Sequence, residues 1–227
     1  MLLHTVKKKI IAVVLILLLL ACTVLIIVTN RKENSDVNCA VASGVNTKTK
    51  VFAVCALADR ETGVQDLKMF ISVCEGFGIK PTIFFEKRFI ESENMFFENN
   101  KKEYECGMVI SDSFNNFSMS KASSMLQKEN RNFFKNTGIF PRFCTFEGGN
   151  SPQKNISAAL AENGQIFIMK TNELKNIKSG TIIPGSIIYI GKITDKSAFE
   201  TAEFFSETQK SEMKCLSVSL LLNTFGE

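Results

Sequence analysis

From Val51 onward, short apolar runs alternate with stretches whose apolar residues recur every three to four positions, and this alternation is what most constrains the fold. The short runs predict buried strands, and the stretches between them predict helices with one buried face. Strands alternating with helices predict βα units around a largely parallel sheet. Strands are expected at 51–57, 81–85, 105–111, 142–146, 166–169, 187–190 and 214–218. A helix is expected at 64–77, where Leu67, Phe70, Ile71 and Cys74 share one face and Gly76 and Gly78 mark the end. Another is expected near 92–101, with Met95 and Phe96 inward. Ser118 reads as the N-cap of a long helix to about 136, whose apolar face carries Ala122, Met125, Leu126 and Phe133. Further helices are expected at 152–163 and 198–210, and 220–222 is expected to cap the barrel. The α/β pattern of seven such strands predicts a distorted, incomplete (β/α) barrel, whose chemistry belongs at the C-terminal ends of its strands.

Upstream of this domain lies a different kind of segment. Residues 10–28 carry no charge, no Pro and no Gly. As a helix they span about 28 Å, close to the hydrocarbon thickness of a bilayer. Lys7, Lys8 and Lys9 precede the run, and Arg31 and Lys32 follow it. The expected layout is a basic cytoplasmic tail over 1–9, a transmembrane anchor over 10–28, a polar linker over 29–50 and an extracytoplasmic domain over 51–227. The lipid bilayer is then a partner. Two alternatives stay open: a cleaved secretory signal, and a lipoprotein cut at Leu19-Leu20-Ala21-Cys22 and lipidated at Cys22. Each also places the domain beyond the membrane.

The net charge of +4 belongs to the anchor region. Five of the 27 basic residues and none of the acidic ones lie in 1–32, leaving 22 basic against 23 acidic residues in the remainder. So balanced a domain has no electrostatic footprint for nucleic acid. Beyond Cys22, the cysteines are Cys39, Cys55, Cys74, Cys106, Cys144 and Cys215. None stands at a zinc-ligand spacing, and most fall in apolar runs, which reads as buried reduced thiols, although an even number outside a membrane also permits disulfides. Phe84, Phe85, Phe96, Phe97, Phe133 and Phe134 read mostly as core. With no Trp and only two Tyr in the chain, an aromatic platform for sugars is not expected.

Several segments, taken in order, resemble the polysaccharide deacetylases with a NodB-homology domain, over about 51–222. Residues 51–59 resemble the family's first strand, which ends in Thr-Phe-Asp-Asp-Gly. Phe77-Gly78-Ile79-Lys80-Pro81-Thr82-Ile83-Phe84-Phe85 is similar to its Gly-Val-Lys-Ala-Thr-Phe-Phe strand. Glu105-Cys106-Gly107 resembles the Glu-Ile-Gly that precedes the metal histidines, and Phe140-Pro141-Arg142-Phe143 resembles the approach to the Phe-Arg-Pro-Pro motif. Pro184-Gly185-Ser186-Ile187-Ile188 is similar to Pro-Gly-Ser-Ile-Ile-Leu-Leu-His. The resemblance implies a divalent metal on one Asp and two His, a second Asp as base and a late His as acid.

Carried over position by position, the metal Asp falls on Asp59 and the motif Arg on Arg142, both retained. The base falls on Ala58, the metal histidines on Val109 and Ser113, and the late His on Gly191. The single histidine of the chain, His4, lies before the anchor. The resemblance therefore implies a degenerate domain with no metal cofactor and no confident catalytic residue. Its cleft candidates are Asp59, Asp112, Ser113, Arg142 and Glu147, with Arg142 holding Asp59 in an ion pair. The expected function is binding of cell-wall glycan or of a protein partner outside the membrane. One alternative is an active deacetylase in which Asp59, Asp112 and Glu147 converge on a non-standard site. Another is a structural or assembly protein of the membrane.

Overall fold

The computed structural model describes residues 44–93, 96–97, 103–176 and 182–225, all within one compact unit, Cys39–Glu227. The expected anchor at 10–28, Cys22 and Cys39 lie outside the described residues. Among the described residues, no helix is long and apolar enough to cross a membrane.

The elements in chain order are β1 (Val51–Ala58), α1 (Val64–Gly76), β2 (Thr82–Phe85), α2 (Lys87–Ser92), β3 (Glu105–Ile110), a 3-10 turn (Asp112–Asn116), α3 (Met119–Thr137), β4 (Phe143–Phe146) and α4 (Lys154–Glu162). They continue with β5 (Ile166–Phe167), β6 (Asn172–Glu173), β7 (Ile187–Lys192), α5 (Asp195–Lys210), β8 (Lys214–Leu216) and α6 (Val218–Phe225). The strands form one sheet in the order β5-β4-β3-β2-β1-β7-β6, with β8 against the start of β1. Every pairing is parallel. No pairing joins β5 to β6 among the described residues, so the barrel is open there, as the sequence pattern predicts.

The period of two along each strand sorts the core into two layers. Phe52, Val54, Ala56, Ile83, Phe85, Cys106, Met108, Cys144 and Phe146 face the helices. Val51, Ala53, Cys55, Phe84, Val109, Phe143, Ile187 and Tyr189 face inward. Both faces are covered, which is why the strands read as unbroken apolar runs. On the helix side the Phe85 ring lies 4.9 Å from Phe97, 5.6 Å from Phe89 and 5.7 Å from Tyr104. Inside, Gly107 leaves room for Phe84, since a Cβ on Gly107 would stand 2.4 Å from that ring.

α6 closes the end of the barrel at which the strands begin. Val218 and Leu221 bury into the inner layer, the Ser219 N–H donates to Glu105 Oε2 at 3.1 Å, and Arg142 Nη2 donates to Asn223 Oδ1 at 2.9 Å. The strand expected at 214–218 is shortened to β8, and 220–222, expected to cap the barrel, lies in α6, which closes it. A second difference concerns the helix expected at 92–101. An additional helix, α2, starts at Lys87 on Glu86, whose side chain makes no capping bond, while most of the expected 92–101 helix, Met95 included, lies outside the described residues, and Phe96 is buried. No sequence signal marks that start. The Ser118 cap does form: its hydroxyl accepts from the Lys121 N–H, and α3 ends at Gly138 in the left-handed region.

Candidate functional site

The strands all point one way, so their C-terminal ends converge on one mouth. Asp59 stands there, just after β1, with its side chain 16 % exposed. Its Oδ1 accepts from the backbone N–H groups of Glu61 at 2.9 Å and Thr62 at 3.1 Å. Its Oδ2 lies 2.9 Å from Lys192 Nζ, which also pairs with Glu61. Partial burial pushes the Asp59 carboxyl up, but the Lys192 hydrogen bond, the Glu61 N–H, the Lys192 charge and the Thr62 hydroxyl together outweigh it. The net pKa is below the ordinary value. Lys192 is correspondingly raised, by its hydrogen bonds to Glu61 and then Asp59.

Lys192 reaches Asp59 because β7 carries a bulge. Cys55 pairs with Tyr189 and Leu57 with Lys192, so β7 spends one residue more than β1 over this stretch. Gly191 sits in that irregular stretch with φ 103°, a conformation that L side chains rarely adopt. Bulges beside sites re-aim side chains. Here the bulge turns the ammonium of Lys192 onto Asp59, one residue after the position assigned to the late histidine.

The other candidates divide into those the mouth gathers and those it does not. Glu147 lines the same cleft as Asp59, together with Arg60, Glu61, Glu86, Lys87 and Arg88, around about 510 Å³. Asp112 ties two rim loops instead: its Oδ2 accepts from the Gly148 N–H at 2.7 Å and its Oδ1 from Asn150 Nδ2 at 2.8 Å. Ser113 is exposed in the 3-10 turn, its hydroxyl 3.0 Å from that of Ser111. Val109 is buried in the inner layer, and Ala58 is fully buried on the helix side. The expectation for Arg142 is corrected. It precedes β4, at the opposite end of the barrel, where it bonds Asn223 and cannot hold Asp59. The ion-pair partner of Asp59 is Lys192, which the sequence reading missed. A lysine beside a glycine at the end of the last inner strand was the available signal.

Lys170, also missed, crosses the open side of the barrel. Its Nζ donates to the Glu147 carbonyl at 3.0 Å and lies 5.4 Å above the Tyr189 ring. Burial pushes its amine down, against the carboxylates of Asp112, Glu86 and Glu147.

These residues do not fit the divalent metal that the fold family implies. Asp59 is committed to an internal ammonium, Val109 offers no donor atom, and the Ser113 hydroxyl is engaged. Among the described residues, no group of three or more His, Cys, Asp or Glu side chains is placed to share a metal ion. The convergence of Asp59, Asp112 and Glu147 expected of a non-standard site is not formed, because Asp112 is spent on the rim loops. Cys55, Cys74, Cys106 and Cys144 are buried thiols, not disulfides, and burial pushes Cys55, Cys74 and Cys106 up to about 12.

The architecture matches a set of solved structures. A CE4-family pseudoenzyme from Bacillus anthracis aligns with a TM-score of 0.61 and 18 % identity, over 75 % of this chain and 65 % of that one. A mutant of that pseudoenzyme, with restored enzymatic activity, aligns at 0.65 and 18 % over 78 % and 69 %. PdaA, a family 4 carbohydrate esterase from Bacillus subtilis, aligns at 0.64 and 13 % over 85 % and 89 %. No family model and no curated protein matches the sequence. The fold is therefore that of the family 4 carbohydrate esterases, the polysaccharide deacetylase fold, and it is shared with active enzymes and with a pseudoenzyme.

Proposed function

We propose that this chain is a membrane-tethered, extracytoplasmic pseudoenzyme of the deacetylase fold that binds cell-wall glycan at the barrel mouth without hydrolysing it. The single observation that carries this reading is the Asp59–Lys192 pair. The one retained metal-ligand position is neutralised by a lysine of the chain itself, at 2.9 Å. With Ala58 at the base position and Gly191 at the acid position, neither of those two positions carries a side chain that transfers a proton. What remains is a polar cleft rich in paired charges, suited to hydroxyl-rich ligands held by hydrogen bonds to Glu86, Arg88 and Glu147 and not by ring stacking. The pseudoenzyme of the same fold in Bacillus anthracis is consistent with such a role.

The test is a calorimetric titration of the full chain with N-acetylglucosamine oligomers, run beside an acetate-release assay with added zinc or cobalt. Saturable binding that Arg88→Ala weakens about tenfold, with no acetate released, supports the reading. Acetate release that scales with stoichiometric metal binding would defeat it.

A further inference from the structure

Four of the six large hydrophobic side chains exposed among the described residues lie toward the end of the barrel at which the strands begin. Phe140, 59 % exposed, lies just before β4. Ile183, 70 % exposed, lies just before β7. Leu220, 52 % exposed, is on the outer face of the closing helix α6, and Phe134, 52 % exposed, is in the last turn of α3. Stable folds do not need such residues on the surface of the helix that closes their core. Leu220 in particular is flanked by Val218 and Leu221, which already supply the buried contacts.

Two further observations point to what covers this end. The chain enters here: Gly44 bridges to Ser186, and the Val45 N–H donates to Gly185 O at 2.8 Å, so residues 1–43 join the domain beside Ile183. The exposed charges of the same rim are also predominantly basic. Lys48, Lys80, Lys135, Arg142 and Lys214 are exposed at this end against Glu75 and Glu162, with the half-buried Glu103 and Glu105 at the start of β3, while Lys50 and Glu212 pair with each other at 3.2 Å. Scattered apolar side chains within a basic rim are the composition that settles on an anionic bilayer surface.

We propose that this end of the barrel rests on an anionic lipid surface, with Phe140, Ile183 and Leu220 as its apolar contacts, leaving the mouth at the opposite end facing away from the membrane. The proposal rests on the reading of 10–28 as a bilayer anchor. Tethering supplies proximity, so each apolar contact needs only shallow insertion. The orientation also serves the proposed function, because it directs the Asp59 cleft toward the cell wall.

The absence of Trp from the chain gives a clean assay. Single variants Phe140→Trp, Ile183→Trp and Leu220→Trp are reconstituted as full chains in phosphatidylglycerol-containing vesicles whose lipids are brominated high in the acyl chain. Phe199→Trp, on the flank of α5 and 71 % exposed, is the control. The expected result is fluorescence reduced about twofold or more at 140, 183 and 220 relative to 199, and less so in phosphatidylcholine alone. Quenching no greater than at 199 overturns the proposal. Leu18→Trp separates the two readings. If it is quenched while the three barrel positions are not, the docking fails and the anchor stands; if all four are unquenched, the anchor reading has failed too.

Discussion

Replacing Lys192 by Met leaves Asp59 without its cation, and the structure sets the size of the effect. The Asp59 side chain is 16 % exposed and that of Lys192 is 31 % exposed. Truncating one partner of a fully buried pair costs about 3–5 kcal/mol, whereas an exposed pair contributes about 0–1 kcal/mol. Asp59 also keeps the Glu61 and Thr62 N–H bonds when the ammonium goes. The pair therefore lies near the exposed limit, and a double-mutant cycle of Asp59→Asn with Lys192→Met should give a coupling of about 1 kcal/mol at pH 7. In a domain of this size that is a Tm shift of roughly 2–4 °C, readable by urea or thermal unfolding followed by circular dichroism. The pH dependence fixes the cause. The folded pKa of Asp59 is depressed, so its contribution is present above the unfolded value near ~3.9 and is lost as pH falls through the folded one. That of Lys192 is raised, so its contribution is present below the unfolded value near ~10.4 and is lost as pH rises through the folded one. The coupling should be flat between about pH 5 and 9 and should shrink outside that window. A coupling indistinguishable from zero at pH 7, or one unchanged at pH 3, would refute the assignment of Lys192 as the internal counter-ion.

Two further outcomes follow from the core. Gly107→Ala places a Cβ within 2.4 Å of the Phe84 ring inside the barrel, so denaturant unfolding should show a loss of about 1–3 kcal/mol. Cys55, Cys74 and Cys106 are buried with thiols near 12, so in the folded chain at pH 8 they should resist a maleimide and be labelled only in denaturant. Peptide mass spectrometry checks this, and fast native labelling at any of the three would contradict the packing.

The sequence made the parallel architecture legible because its strands are covered on both faces and its longest helix has strong end signals. Ser118 and Gly138 mark α3 by their chemistry, whatever the tertiary context. What stayed hidden depends on pairing and not on local pattern. β6 is two residues long, too short to carry a period, whereas β5 falls inside the strand expected at 166–169. α6 starts inside the strand expected at 214–218, in a stretch too short for periodicity to separate helix from strand. The site was legible as a set of losses, since a missing histidine is a fact of composition. Its replacement was not, because the bulge that aims Lys192 at Asp59 is a property of the β1–β7 register. Arg142 shows the opposite hazard: a retained residue type at a matched position landed at the wrong end of its strand.

The same geometry says how far this mouth stands from metal chemistry. Supplying a histidine at Ser113 alone would place an imidazole in an exposed turn with no second nitrogen donor opposite it. A histidine at Val109 would enter an inner layer already filled by Phe84 and Phe143, where an imidazole needs both space and a hydrogen-bond partner. Neither change by itself removes Lys192, whose ammonium lies 2.9 Å from the Asp59 carboxylate. Lys192, one residue after the position that the resemblance gives to the late histidine, has a role of its own. It supplies positive charge to Asp59, ties the end of β1 to the end of β7, and keeps the carboxylate ionised without a cofactor.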